Sequence, residues 1–85
     1  MKLKLVFFAN FRELLDCAGE NIEIEAGATV SDVCHQLAQK DGSWQAIFLN
    51  PSQSVKVAVN QQMSELNQTL LDGDEVAFFP PVTGG

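Results

Sequence analysis

Residues 72–85, DGDEVAFFPPVTGG, decide the fold, because they contain a complete strand whose beginning and end are both marked. Asp72-Gly73-Asp74 is a strong turn signal, and Glu75 to Phe79 is the apolar strand that follows it. Pro80 ends this strand, since proline has no N–H to donate to a sheet ladder. A strand of similar apolarity, roughly Lys2 to Ala9, opens the chain. The most apolar strands are expected at the centre of a sheet, so we predict that these two are neighbours.

The best helix of the sequence lies between these two strands. Thr29-Val30-Ser31-Asp32 approximates a capping box, in which the first and last side chains accept hydrogen bonds from each other's backbone N–H groups. An amphipathic stripe at helical spacing follows, formed by Val30, Val33, Cys34, Leu37 and Ala38. Lys40 suits the negative end of the helix dipole, and Gly42 is predicted to end the helix.

Shorter elements are predicted before this helix. Phe11 to Ala18 reads as a short helix, and Gly19 is expected to terminate it in the left-handed conformation. Its predicted apolar positions are Phe11, Leu14, Leu15 and Ala18. Asn21 to Glu25 alternates isoleucine with polar residues, which predicts a strand with one wet face, and Gly27 breaks that strand.

The signals after the main helix are less regular. Trp44 to Leu49 fits either a helical turn or a strand, and Asn50-Pro51 indicates a turn. Val55 to Val59 alternates valine with lysine and alanine, which predicts a strand. Asn60-Gln61 is predicted to turn that strand.

These elements run in the order strand, strand, long helix, strand, final strand. One amphipathic helix can cover one face of a mixed sheet, which gives a two-layer α+β fold. With the first and last strands as central neighbours, the arrangement is the β-grasp, or ubiquitin-like, fold. We expect a β-grasp domain over residues 1–79 and an extended C-terminal tail over residues 80–85.

Composition indicates a single globular domain of 85 residues, with 46% hydrophobic and 19% charged residues. No apolar run approaches the ~20 residues that a membrane span needs, and no small-residue cleavage site precedes Arg12 and Glu13. Cys17 and Cys34 fit reduced thiols better than a disulfide framework, so we expect a cytoplasmic protein. A single disulfide between Cys17 and Cys34 is the alternative that the sequence leaves open.

The formal charge of −6 argues against a nucleic-acid partner, because binding phosphates needs a basic cluster. The basic residues are scattered along the chain: Lys2, Lys4, Arg12, Lys40 and Lys56. Every charged residue after Lys56 is acidic. This acidic half either favours a basic partner surface or only keeps the protein in solution, and both interpretations stay open.

The sequence offers few groups for a catalytic or metal site. His35 is the only histidine and is predicted to be solvated, so neither a metal site nor a Ser/His/Asp set is expected. Cys34 lies on the helix stripe and is expected to be a small buried hydrophobe. Cys17 is the alternative nucleophile, a reactive thiol that would make the protein a thiol enzyme. No glycine-rich phosphate loop is present, so we expect no bound nucleotide cofactor.

Strand alternation predicts an exposed aromatic patch. If Phe7 and Phe78 face the core, then Phe8 and Phe79 must face away from the helix. On neighbouring strands these two rings would lie together beside the start of the tail. A contiguous exposed apolar patch usually marks an interface, so we predict a partner-binding role for both.

The tail combines stiffness with a narrow tip. Pro80 and Pro81 fix their φ angles and hold Phe79 extended, so they should direct the tail away from the sheet. Gly84 and Gly85 lack Cβ atoms and can pass through a channel too narrow for other residues. The terminal carboxylate is a poor electrophile and would need activation, for instance as an acyl-adenylate.

The ending DGDEVAFFPPVTGG, the opening LVFFANFREL and the central VAVNQ resemble the small subunits of molybdopterin synthase, the MoaD-type sulfur carriers. The resemblance spans nearly the whole chain and implies a role in molybdenum cofactor biosynthesis. An ATP-dependent, E1-like adenylyltransferase would adenylate Gly85, and a sulfur donor protein would convert it to the thiocarboxylate of 1-thioglycine. The carrier would then give its sulfur to cyclic pyranopterin monophosphate, and two transfers build the molybdopterin dithiolene.

The resemblance also implies partners and contact residues. The carrier would dock on the large synthase subunit within a heterotetramer, as the sulfur-donor subunit of a sulfurtransferase without a catalytic pocket of its own. Apolar contacts are implied for Phe8, Met63 and Phe79, and passage into the partner's active site for Pro80, Pro81, Val82, Thr83 and Gly84. ATP would be used by the activating enzyme. The alternatives are a ubiquitin-like protein modifier that conjugates to lysines, or a sulfur carrier for another pathway such as thiazole synthesis.

Overall fold

A computed structural model describes residues 1–40 and 42–81 of the chain. This part contains five strands and four helices: β1 (Lys2–Phe7), α1 (Asn10–Leu14), β2 (Gly19–Glu23), α2 (Val30–Leu37), α3 (Ser43–Phe48), α4 (Pro51–Ser54), β3 (Lys56–Val59), β4 (Gln62–Ser64) and β5 (Glu75–Phe79). No helix in this part is long and apolar enough to cross a membrane.

The five strands form one mixed sheet in the order β2-β1-β5-β3-β4. β1 and β5 pair in parallel at its centre, with Phe7 opposite Phe78, and the other pairs are antiparallel. The prediction that the opening and closing strands are neighbours is confirmed. A mixed sheet with one main helix on one face is the ubiquitin-like β-grasp fold, as predicted. The predicted Gly-Gly end lies outside the described residues.

The core lies between α2 and the sheet face that this helix covers. The inward residues of the two central strands are at most 2% exposed: Leu3, Leu5, Phe7, Val76 and Phe78. α2 buries its whole predicted stripe against them: Val30, Val33, Cys34, Leu37 and Ala38. Each large apolar side chain buried in this way contributes about 1.5–3 kcal/mol relative to an exposed one. The face on which strand alternation gathers these apolar residues is therefore the face that becomes the core.

The segment that the sequence left open between a helical turn and a strand is helical. α3 places the Phe48 ring edge-on to Phe78, with 5.2 Å between ring centroids. Trp44 meets Phe7 edge-on at 5.3 Å. These edge-to-face contacts are favourable arrangements for aromatic rings. The aromatic cluster closes the core behind the last residues of β1 and β5.

The predicted capping box of α2 is confirmed. Thr29 Oγ1 accepts a hydrogen bond from the backbone N–H of Asp32 at 3.2 Å, and Asp32 Oδ2 accepts one from the backbone N–H of Thr29 at 2.8 Å. Asp32 Oδ2 also accepts a hydrogen bond from the Thr29 hydroxyl at 3.1 Å. The two bonds to this carboxylate, the one from the Thr29 backbone first, lower the pKa of the Asp32 carboxyl because they favour its ionised form. The main helix therefore begins where the sequence indicates.

The roles predicted for Gly19 and Gly42 are both wrong. Gly19 opens strand β2 opposite Val6, where a Cβ atom would approach the Leu5 carbonyl oxygen to 2.5 Å. Close approach of the two strands, and not a left-handed helix end, therefore requires glycine there. Gly42 does not end α2, because that helix already ends at Leu37. Gly42 instead lies directly before α3, with a φ of 68°.

Helix α1 is shorter than predicted. It ends at Leu14, and Asp16 then takes a positive φ of 50° as the chain turns toward β2. Phe11 and Leu15 are buried, whereas Leu14 is 52% exposed and Ala18 is also exposed. The predicted stripe fails because the helix stops before its second turn is complete. β2 starts at Gly19 and ends at Glu23, two residues earlier than expected at each end.

Strand β4 and helix α4 were missed. Asn60 and Gln61 both have positive φ, 50° and 70°, as in the tight hairpin turns that asparagine favours. The predicted turn is confirmed, and it brings Gln62–Ser64 back along β3. Three residues are too few to show an alternating pattern. Pro51 begins α4 at a position where the missing N–H of proline is no loss, so the expected turn is a short helix.

Candidate functional site: an apolar patch on the open face of the sheet

Two phenylalanine rings stack on the open face of the sheet, the face that α2 does not cover. The Phe8 and Phe79 rings are parallel to within 5°, and their centroids are 4.8 Å apart. Phe8 is 39% exposed and Phe79 is half-buried. Each directly follows a core phenylalanine, so the alternation turns it outward. The predicted outward placement is confirmed, and the role of the two rings in partner binding stays a prediction.

The backbone holds Phe8 between the sheet and a turn. Its N–H donates to the Phe78 carbonyl oxygen at 3.1 Å, and its carbonyl oxygen accepts from the N–H of Phe11 at 3.2 Å. The turn passes through Ala9 at φ 54° and ψ −138°, a conformation that glycine adopts more easily and that costs alanine about 1 kcal/mol. Both polar backbone groups of Phe8 are satisfied, which holds its backbone beside β5, where its ring stacks on Phe79.

A row of small and apolar side chains continues from these rings across the sheet. Val6 is opposite Ala77, Ala77 is opposite Ala58, and Ala58 is opposite Met63. Paired residues share a face of the sheet, so the row lies on the open face. Met63 is 69% exposed, while the two alanines are nearly covered by their neighbours. We call the set the open-face patch: Val6, Phe8, Ala58, Met63, Ala77 and Phe79.

Two of the six patch residues, Phe8 and Phe79, are predicted from strand alternation. Met63 entered only through the family resemblance, and the structure places its side chain in the same row as Ala58. Ala58 was not predicted as a patch residue. The sequence does indicate its position, because Ala58 alternates with valines that face the core and so shares a face with Lys56.

The predicted tail begins at the edge of the patch. Pro80 and Pro81 follow Phe79 directly and are half-buried. Val82, Thr83, Gly84 and Gly85 lie outside the described residues. The roles assigned to these six residues therefore stay predictions.

The remaining candidate groups do not come together. Both cysteines are free; Cys34 is buried, and burial raises the pKa of its thiol to about 12. Cys17 is half-buried, and its Sγ donates to the Gly19 carbonyl oxygen at 3.3 Å. His35 is exposed on α2, as predicted. Among residues 1–40 and 42–81, no group of three metal-ligating side chains lies close enough to hold an ion.

Comparison with known proteins identifies similar chains along the whole sequence. The family model described as ThiS family matches residues 5–85. The molybdopterin synthase sulfur carrier subunit of Haemophilus influenzae is 42% identical over 83 residues, covering 98% of this chain and 99% of that protein. The small archaeal modifier protein 3 of Haloferax volcanii is 37% identical over 94 residues, and the match covers 100% of this chain and 100% of that protein.

Solved structures share the fold over the same length. The HVO 2177 protein of Haloferax volcanii has a TM-score of 0.82 and 32% identity, with 100% of this chain and 87% of that chain covered. A complex of subunits 1 and 2 of the molybdopterin-converting factor from Helicobacter pylori contains a chain with a TM-score of 0.63 and 28% identity. That match covers both chains completely.

Proposed function

The chain belongs to the ThiS family as a sulfur carrier subunit of molybdopterin synthase, and on that premise we propose that the Gly85 carboxylate carries the sulfur as a thiocarboxylate. The observation that carries this proposal is the family match, which continues to residue 85. The Gly-Gly pair of this chain therefore falls within the part of the sequence that the family shares.

Activation of Gly85 requires a chemical step that this chain cannot perform alone. An E1-like adenylyltransferase joins the carboxylate to the AMP part of ATP and releases pyrophosphate. A sulfur donor protein then supplies the sulfur that displaces AMP, which leaves a thiocarboxylate in place of the carboxylate. In this proposal ATP belongs to the activating enzyme, and the carrier contributes only the carboxylate and the surface by which it is recognised.

The open-face patch is the proposed docking surface for the large synthase subunit. Phe8, Phe79 and Met63 supply its most projecting apolar groups, and aromatic side chains of this kind dominate the energetics of many interfaces. Pro80 and Pro81 follow the end of β5 at which Phe79 lies. A partner bound to the patch is therefore beside the start of the tail and can also bind the tail. Residues 82–84 then place Gly85 in the partner's active site. Subunits 1 and 2 of the molybdopterin-converting factor from Helicobacter pylori form a complex, which supports the large subunit as the partner.

Within this proposal the complete synthase is a heterotetramer of two carriers on a central dimer of large subunits, and it acts in the cytoplasm. The large subunit holds cyclic pyranopterin monophosphate, and two successive carriers deliver the two dithiolene sulfurs. The chain is thus the sulfur-donor subunit of a sulfurtransferase.

A second candidate function is conjugation to proteins. The 37% identity to the small archaeal modifier protein 3 favours it, because a modifier would use the same activated Gly85 carboxylate. A lysine amine would then displace AMP and form an isopeptide bond in place of a thiocarboxylate. Carriage of sulfur toward another product, such as a thiazole, is a third possibility, to which the name of the ThiS family points.

Intact mass after activation separates these candidates. The chain is incubated with the activating enzyme, ATP and a sulfur source, and a carrier gains about 16 Da at Gly85, since sulfur replaces oxygen. A chain lacking Gly85 is the control and stays unchanged. Accumulation of lysine adducts without any thiocarboxylate would refute the carrier proposal. Cys17→Ser tests the thiol-enzyme alternative, and we expect this variant to gain the same mass.

A further inference from the structure

The charge of the open face differs from the charge of the whole chain. The strand residues that share this face include three lysines and two glutamates: Lys2, Lys4, Lys56, Glu23 and Glu75. The whole chain has five basic and eleven acidic residues. Among the paired strand residues of the open face, lysines therefore outnumber glutamates three to two, whereas acidic residues outnumber basic ones in the whole chain.

Lys56 lies at the edge of the open-face patch. Its Cα partner across the sheet is Phe79, so the two side chains are neighbours on one face. Lys56 is exposed, and among the described residues no carboxylate forms an ion pair with it. Lys40 differs, because Glu20 binds its ammonium group at 2.7 Å on the other side of the molecule. The amine of Lys56 is thus available to a partner.

Lys4 and Lys2 continue the basic edge along β1. Lys4 lies two residues before Val6 of the patch, and its ammonium is 3.8 Å from a Glu75 carboxylate oxygen. Lys2 is opposite Glu23 and is also exposed. An exposed ion pair at 3.8 Å contributes little to stability. The positive charges of both lysines therefore remain available to a partner.

We infer that the surface of the large subunit that covers the open-face patch has an apolar centre and acidic side chains at its rim, at least one of which pairs with Lys56. This inference rests on the proposed function for the identity of the partner. Rim charges of this kind steer association and fix the docked orientation. A partner selected by the net charge of −6 would instead present a basic surface to the carrier.

Charge reversal at two lysines tests the inference with equal changes of net charge. Binding of the wild-type chain, Lys56→Glu and Lys40→Glu to the purified large subunit is measured at ~50 mM and ~500 mM salt, because salt screens rim charges. We expect Lys56→Glu to weaken binding about tenfold at low salt, with most of the loss absent at high salt. Lys40→Glu should bind within about twofold of wild type, since it lies away from the patch.

The outcomes separate the inference from the proposed function. If Lys56→Glu binds as tightly as wild type, or if both reversals weaken binding equally, the acidic rim is refuted while the carrier function stands. If the wild-type chain fails to bind the large subunit, the proposed function fails first. Lys56→Gln provides a neutral variant, for which we expect a smaller loss in the same direction.

Carbodiimide cross-linking identifies the paired groups directly, because it joins an amine to a carboxylate without a spacer. Peptide mapping of the cross-linked complex should show an amide between Lys56 and an aspartate or glutamate of the large subunit. Links made only from carboxylates of the carrier to lysines of the partner would overturn the inference. A link through Gly85 is distinguished by its own peptide and bears on the tail alone.

Discussion

Two stacked phenylalanine pairs occupy successive positions at the ends of β1 and β5, with Phe8 directly after β1, and they have different surroundings. Phe7 and Phe78 stack with centroids 5.9 Å apart and are fully buried between the sheet and the helices. Phe8 and Phe79 stack 4.8 Å apart on the open face, where Phe8 is 39% exposed. One step along each strand therefore converts a core pair into a surface pair. The comparison indicates that the inner pair stabilises the domain, and the outer pair is the one that we propose for partner binding.

The largest expected effect is on stability, at the inner pair. Phe78→Ala should lower the free energy of unfolding by about 3–5 kcal/mol, because it leaves a cavity beneath Phe7 and Phe48. Urea denaturation followed by circular dichroism measures this change. Phe8→Ala is the matched control and should cost about 1 kcal/mol, the value of its stacking contact. Equal losses at both positions would remove the distinction between the two faces.

The next effect is on binding, at the outer pair. Phe79→Asp should weaken binding to the large subunit by roughly 30-fold or more, because it replaces one of the two stacked rings of the patch with a carboxylate. Calorimetric titration measures the affinity, and the far-ultraviolet circular dichroism spectrum should stay native. A variant that binds normally would exclude the patch as the docking surface. A variant that unfolds would show that Phe79 belongs to the core.

A smaller effect is expected at the start of α2, on the side of the sheet away from the patch. Thr29→Ala removes the cap and should reduce stability by about 1 kcal/mol without changing partner binding. The folded-state pKa of Asp32 is depressed below its ordinary value of 3.8, so its contribution is present above that pH and is lost as pH falls through the folded pKa. Thr29→Ala keeps the backbone bond to the Asp32 carboxylate but removes the bond from the Thr29 hydroxyl, so the stability difference between wild type and variant should shrink below about pH 4. A difference that persists unchanged in acid would contradict the hydrogen bond from the Thr29 hydroxyl to Asp32.

The smallest effect is in thiol reactivity, which again compares core and surface. Cys34 is buried with a pKa raised to about 12, so iodoacetamide should modify it far more slowly than Cys17 at pH ~8. Peptide mass spectrometry of the labelled native chain distinguishes the two sites. In denaturant both should react at similar rates. Faster labelling of Cys34 in the native chain would mean that α2 does not pack as described.

Much of this comparison could be predicted from the sequence, because period-two alternation fixes the face of every residue in a strand once one residue is assigned. The strand Glu75–Phe79 was predicted with its observed bounds, since turn residues and proline mark both of its ends. The start of α2 was equally clear because its capping box is local. The inward and outward phenylalanines follow from these two elements.

What could not be predicted depended on contacts between distant residues. Gly19 is required by the approach of Leu5 on the next strand, which no local pattern reports. The helix α3 is selected by the packing of Trp44 and Phe48 on Phe7, so its segment alone fits two conformations. The basic edge beside the patch could not be predicted from the sequence either. Lys2, Lys4 and Lys56 are scattered in sequence, and the sheet brings them to one face.

Sulfur transfer in a single turnover tests the central claim most directly. The thiocarboxylated chain is mixed with the large subunit and cyclic pyranopterin monophosphate, and the intact mass of the carrier is followed with time. As the sulfur leaves and oxygen from water replaces it, the carrier should lose about 16 Da while the dithiolene product appears. The Phe79→Asp chain, loaded in the same way, should lose its sulfur much more slowly. A wild-type carrier that keeps its sulfur in the presence of the large subunit and the pterin would contradict the account.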